Sequence, residues 1–208
     1  MTENDKQTEE KIFEAATLVF EEKGMDGARM QDIANKAGIN KALLHYYFRT
    51  KDRLFDAVFQ KVAGRMFMKF APVFEKDHTL EEKIRFFFRQ HISFMQENPR
   101  LPSFVLNEIN RNPARIKKLL KNVDFKKIWI MLEEQHKDEF VKYNITLESI
   151  PQIMTTIAAI SVFPFAARGI LEGIFESLGV NFDKYIEERK EFAADFVISA
   201  LKNKKNKN

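Results

Sequence analysis

The chain has 208 residues, 45% of them hydrophobic and 31% charged, a balance that excludes both a disordered tail and a membrane protein. Only 7 Gly and 6 Pro stand against 21 Phe, so turns are few and large apolar side chains many, which favours an all-α fold. Net charge is +4, a slight lean towards anionic partners.

From Thr8, Ile12, Ala15, Ala16, Val19 and Phe20 recur at helical spacing, and Gly24 stops the pattern. A short helix is predicted from about Met30 to Lys36, then a break at Ala37-Gly38-Ile39-Asn40 and a second short helix to about Phe48. Thr50 can cap a long helix that starts at Lys51 and runs past Leu54, Phe55, Val58, Phe59, Val62 and Met66 until Pro72. Thr79-Leu-Glu-Glu82 is a capping box, so another helix starts there and ends before Pro99. One more covers about Pro102 to Arg111. Asn112-Pro113 opens a helical region reaching about Tyr143, with an interruption near Asn122. From Leu147 the chain is apolar almost all round, hence buried on most sides; Pro164 should kink or break it, and Gly179 ends it. The last helix runs from about Asp183 to Leu201, before a frayed basic tail.

Charge is unevenly spread. Residues 1–28 hold Lys6, Lys11 and Lys23 against eight acidic residues, whereas Arg29, Lys36, Lys41, Arg49, Lys51 and Arg53 face only Asp32 and Asp52. Such a basic segment can face phosphates; a solvated face is the alternative. Residues 31–50 form two short helices around a tight turn. Ala34 is small where a second helix must cross closely, and Gly38 supplies the left-handed backbone of the turn. Ile39, Leu44 and Tyr47 or Phe48 then pin the second helix against Ile33. This is a helix-turn-helix, whose second helix enters the DNA major groove.

The residues Gly24-Met25, Met30-Gln-Asp-Ile-Ala34, Ala37-Gly-Ile-Asn-Lys41 and Leu44-His-Tyr-Tyr-Phe-Arg-Thr-Lys-Asp-Arg-Leu-Phe55 resemble the TetR/AcrR family of bacterial transcriptional regulators. The match covers about the first quarter of the chain. It implies an all-α protein: residues 1–55 as a three-helix DNA-binding domain, and residues 56–208 as a ligand-binding and dimerisation bundle, with about nine helices. Three departures bear on which bases are read. Ala28-Arg29 replaces the family's usual capping Thr or Ser, and Leu43 and His45 stand where a small residue and Tyr are common.

Roles follow from side-chain chemistry. Asn40 can cap the reading helix, and Lys41 can reach a guanine edge or a phosphate, while Ala42 and Leu43 can touch a thymine methyl. His45 and Tyr46 lie about one turn further on. Arg29 and Gln31, at the start of the first short helix, are further DNA-binding candidates. Tyr47 and Lys51 match family positions that hydrogen-bond phosphate; a core tyrosine with a wet hydroxyl is the alternative for Tyr47. Arg29 and Arg49 are open to reading as merely solvated.

Other chemistries find little support. With no cysteine, disulfides, thiolate metal sites and cysteine nucleophiles are excluded, which fits a reducing cytoplasm. The acidic, polar start lacks the pattern of a signal peptide, and the apolar stretch Ile153 to Ala167 is too short to span a bilayer. Glu133 and His136 have the spacing of a di-iron bundle ligand pair, but within the charged run LEEQHKDE they read as solvent-facing. No phosphate loop, zinc motif or nucleophile elbow is present, so no cofactor, metal or catalytic residue is expected.

The larger domain interleaves aromatics with polar groups. Phe88, Phe94, Phe104, Trp129 and Phe165 surround His91, Asn107 and Arg168, the pattern of an apolar ligand pocket with a few polar handles; ordinary core is the competing reading. Near the C-terminus, Ile170, Leu171, Ile174 and Phe175 on one helix and Tyr185, Phe192, Phe196, Val197 and Ala200 on the next form wide apolar stripes. The family pattern uses these two helices for a four-helix dimer interface. The expected protein is therefore a homodimeric repressor of a pseudo-palindromic double-stranded operator, cytoplasmic and off the membrane, released by a small apolar effector. The principal rival is a regulator whose bundle binds no metabolite; a di-iron-type helical-bundle enzyme and a non-DNA-binding helical scaffold are the others.

Overall fold

A computed structural model describes residues 3–74, 78–121 and 124–204, and among them every regular element is helical. They pack into two compact units, residues 1–65 with 103–122, and residues 66–102 with 123–208. The boundary expected from the sequence is at 55/56, whereas the compact units divide at 65/66 and the first also takes in the stretch around 103–122.

In the first unit, α1 (Glu3–Gly27) starts a turn earlier than its apolar pattern and carries Gly24 at φ 67°, so the helix proper stops where the sequence placed the stop. α2 (Met30–Ala37) and α3 (Lys41–Tyr47) follow, and then α4 (Lys51–Phe70), whose last residues enter the second unit. Ile12, Ala16, Phe20, Ile33, Ala34, Leu44, Leu54 and Phe55 are completely buried. These are the positions that the helical spacing selects. At roughly 1.5–3 kcal/mol for each large apolar side chain, this cluster alone fixes how α1 to α4 pack. Thr50 caps α4, its Oγ1 accepting from Arg53 N at 3.2 Å. α4 ends at Phe70, and a 3₁₀ turn (Ala71–Phe74) takes up Pro72.

α6 (Leu101–Arg111) and α7 (Pro113–Leu120) contribute the rest of this unit. Pro113 opens α7 as expected, but Asn112 does not cap it. Its amide donates instead to Glu108 Oε1 at 3.0 Å.

The second unit is built on α5 (Leu80–Glu97) and α12 (Phe182–Lys204). The capping box at Thr79 and Glu82 is complete. Phe88 and Ile92 of α5 and Ile186, Ala193 and Ala194 of α12 are buried, the small alanines allowing close approach. The helical region expected from Pro113 to about Tyr143 is α7, α8 (Phe125–Gln135) and α9 (Lys137–Lys142), with a further break at His136; Asn122 itself lies outside the described residues.

α10 (Ile150–Ala166) keeps Pro164 inside the helix and ends at Ala167, where α11 (Arg168–Ser177) departs at 73°. Pro164 has no N–H for the Ile160 carbonyl, and Arg189 Nε of α12 donates to that oxygen at 3.1 Å. The proline is tolerated because its orphaned acceptor has found a partner. No single helix among the described residues is long and apolar enough to cross a membrane.

Candidate nucleic-acid interface

The α2–α3 turn is set by backbone stereochemistry. Gly38 sits at φ 68°, ψ 29°, the left-handed region, and its N–H and that of Ile39 close the end of α2 on Asn35 and Ala34 carbonyls at 3.2 and 3.1 Å. Asn40 then starts α3, its Oδ1 accepting from Leu43 N at 2.7 Å. Arg29 holds the equivalent position before α2 with no side-chain cap, as expected from the sequence. A partial substitute is Asp32 in the first turn of α2, paired with Lys23 at 2.7 Å; hydrogen bonding to Lys23 first, and its charge and that of Arg29 as well, hold this carboxyl below the usual range.

Leu44 is the buried anchor of α3, and most of the remaining helix faces out. Lys41, Ala42, His45 and Tyr46 are exposed, Tyr46 to 80%, and Leu43 is half-buried. Arg29 and Gln31 are exposed on α2, the latter donating to Asn35 Oδ1 at 2.9 Å, and His45 Nδ1 lies 3.3 Å from the Arg49 carbonyl. Lys51 is half-buried: its ammonium donates to the carbonyls of Ala28 at 3.0 Å and Asp26 at 3.3 Å, tying the start of α4 to the end of α1. Tyr47 is half-buried too, and its hydroxyl donates to Asp5 Oδ1 of α1 at 3.1 Å. Burial first, and Asp5 next, raise the Tyr47 phenol above its ordinary value. Sequence reasoning singled out both side chains but missed these partners, because nothing in the spacing announces a contact from residue 5 to residue 47.

One edge of the first unit thus shows a short helix with a polar, basic, aromatic face, braced on α1 and α2. A family model described as "Bacterial regulatory proteins, tetR family" matches residues 12–58, the stretch that builds this edge. Residues 12–58 therefore carry a TetR-family DNA-binding domain. The chain is a DNA-binding transcriptional regulator. The probable HTH-type transcriptional regulator YttP of Bacillus subtilis (strain 168) is 23% identical over 161 residues, 76% of this chain and 77% of that protein. The HTH-type transcriptional repressor SCO4008 of Streptomyces coelicolor (strain ATCC BAA-471 / A3(2) / M145) is 43% identical over 54 residues, a match that covers 26% of this chain and only 28% of the relative. Among solved structures, a TetR-family transcriptional regulator from Haemophilus influenzae RD superposes with a TM-score of 0.64 at 18% identity, over 91% of this chain and 98% of that one. That likeness carries the fold.

The expected effector residues separate. Phe88, His91 and Phe94 share the buried side of α5, and Trp129 is buried against Phe140 with ring centroids 5.1 Å apart. Phe165 is buried at the end of α10. Phe104 and Asn107 belong to the first unit, where Phe104 packs on Phe55 at 5.5 Å and both line a cleft of about 270 Å³ with Phe20, Met25, Glu108 and Arg111. Arg168 is not an inward handle. As the first residue of α11 it reaches across the surface, with Nε 2.8 Å from Glu172 and its guanidinium over the Phe182 ring at 4.8 Å. His91 is the buried polar group that fits the expectation best. Its ring stacks on Phe87 at 5.2 Å, its Nδ1 has no hydrogen-bond partner, and burial pushes its imidazole down to about 4.

The expected dimer residues are mostly outward. Ile170 (71%), Ile174 (48%), Phe192 (61%) and Phe196 (54%) are exposed, Ala200 lies beside them, and Leu171, Phe175 and Tyr185 are half-buried. Val197 is the exception at 4%, because it sits one residue round α12 and points into the protomer core. Phe163, Met154 and Leu178, which the stripes did not include, extend the exposed apolar surface.

The Glu133/His136 pair is not solvent-facing as a pair. Glu133 is exposed, whereas His136 is 5% exposed and bonds Glu139 Oε2 through Nδ1 at 2.8 Å. The same spacing recurs at Glu75 and His78, of which Glu75 lies outside the described residues and His78 is exposed. Among the described residues no group of three or more metal-ligating side chains comes together.

Proposed function

We propose that the protein is a homodimeric, cytoplasmic repressor that reads a pseudo-palindromic operator with α3 and is released by a small apolar effector. The carrying observation is the face of α3: four exposed side chains of base-reading or phosphate-binding type, on a helix whose start is capped and whose register is locked by Leu44. In this reading Lys41, Ala42, Leu43, His45 and Tyr46 meet base edges. Asn40 places α3's first amides near a phosphate; Arg29, Gln31, Tyr47 and Lys51 supply further donors along the backbone. One N–H of Lys51 stays available for phosphate beyond its two carbonyl contacts.

One such helix touches too few base pairs for tight, selective binding, so a second copy is required. The exposed apolar side chains of α10 to α12 supply the pairing surface, including a groove of about 150 Å³ between α10 and α12 floored by Ile153, Val197 and Leu201. Effector binding is assigned to the second unit around Phe88, His91 and Phe94. A neutral His91 with an unused ring nitrogen favours an apolar ligand with a hydrogen-bonding group. The reading involves no catalytic step, cofactor or metal.

The test is titration of the purified protein with its own upstream intergenic DNA and with a scrambled duplex of equal length. The reading expects at least about 10³-fold preference at physiological salt. Equal affinity for both would remove sequence-specific regulation.

A further inference from the structure

Tyr47 has one phenolic proton, and that proton is directed at a carboxylate. Its hydroxyl donates to Asp5 Oδ1 at 3.1 Å, while Thr8, three residues along the same helix, hydrogen-bonds the same phenolic oxygen. Both partners lie in the first turns of α1, and Tyr47 closes α3. The hydroxyl is therefore fully engaged within the protein. A DNA phosphate offers only acceptor oxygens, so it needs that same proton. One proton cannot serve two anionic acceptors. The carboxylate also brings a negative charge to the rim of a surface that otherwise presents Lys41, Arg49 and Lys51.

We propose that Asp5 limits DNA affinity by competing with a DNA phosphate for the Tyr47 hydroxyl, so that the first turn of α1 must release Tyr47 when the backbone is engaged. The proposal rests on the DNA-binding reading above and adds to it a residue outside the helix-turn-helix. Asp5 acts through Tyr47 and is a positioning residue. A purely structural brace, pinning α1 to α3, has the opposite signature: removing it loosens α3 and weakens binding.

The experiment uses the full chain and a random-sequence duplex, because a phosphate contact carries no sequence information. Affinity is measured by anisotropy at about 50 mM salt, where phosphate contacts weigh most. Asp5→Ala is expected to tighten binding about three- to tenfold, the span of one hydrogen bond released from competition. Asp5→Asn, which keeps an acceptor without the charge, should give a smaller gain. In a Tyr47→Phe background the Asp5→Ala gain should shrink to about twofold or less, since no proton is left to release. Equal gains with and without the Tyr47 hydroxyl would reduce Asp5 to a bulk charge and overturn the proposal. Weaker binding by Asp5→Ala, with helicity unchanged, would make Asp5 a brace and overturn it as well. A wild-type chain that binds no duplex would remove the DNA reading itself, an outcome distinct from both.

Discussion

The α1–α3 region and the α10–α12 region handle apolar surface in opposite ways. In the first, Ile12, Phe20, Ile33 and Leu44 are fully hidden, and what is left outside is mostly polar or charged. In the second, Phe163, Ile170, Phe192 and Phe196 stay more than half exposed. A segment that completes its own core within one chain is finished as a folding unit. One that leaves large aromatic and branched side chains in water has the composition of an interface. In the proposed function the first region reads a polyanion and the second a further copy of the chain.

The largest effect expected from breaking this contrast is at neighbouring residues of α12. Phe196→Glu should give a folded monomer by sedimentation, with operator affinity down at least about 100-fold because half of the base contacts are lost. Val197→Glu, one residue away but buried, should instead unfold the protomer, since it places a charge in the core. Similar behaviour of the two variants would erase the distinction between face and core.

Next in size is a pH effect confined to the second unit. Burial lowers His91 to about 4 in the folded chain against 6.5 for an exposed imidazole. At neutral pH both states are uncharged and its folded-state contribution is complete. As pH falls below about 6.5 the unfolded chain takes the proton first, so stability is lost down to about 4 and then levels off. The total is on the order of 3 kcal/mol. His91→Phe should flatten that part of the melting-temperature profile between pH 4 and 6.5, leaving the remainder to the carboxylates.

Smaller effects sharpen the DNA side. Lys41→Ala should cost about 1–3 kcal/mol on the operator and almost nothing on random DNA if it reads a base. Equal losses on both duplexes would move it to the phosphate contacts. Lys51→Ala should weaken both alike and reduce the salt slope by about one. Its two carbonyl contacts add a modest loss of stability, readable by thermal melting.

How much of this was legible in the sequence follows from the range of the forces involved. Ala34, Gly38, Asn40, Leu44 and Thr50 announce their roles because helix spacing, left-handed backbone and capping act within a few residues. The same local logic found the capping box at Thr79 and placed the exposed stripes of α11 and α12. It failed where a long side chain chooses among distant partners. Arg168 reads as an inward handle by its apolar neighbours in sequence, but Glu172 and Asp183 draw it outward. His136 reads as exposed within a charged run, yet it is buried against Glu139 at the α8–α9 break. Val197 differs from Phe196 by one helical position, about 100° of rotation, which a broad apolar stripe does not resolve.

That two copies of α3 read DNA together is the central claim. Hydroxyl-radical footprinting of the full chain on its upstream intergenic DNA tests it most directly. Two protected half-sites related by a two-fold axis are expected, with centres about 34–36 Å apart or a multiple of that spacing, both vanishing together in Phe196→Glu. A single asymmetric footprint that survives Phe196→Glu would contradict it.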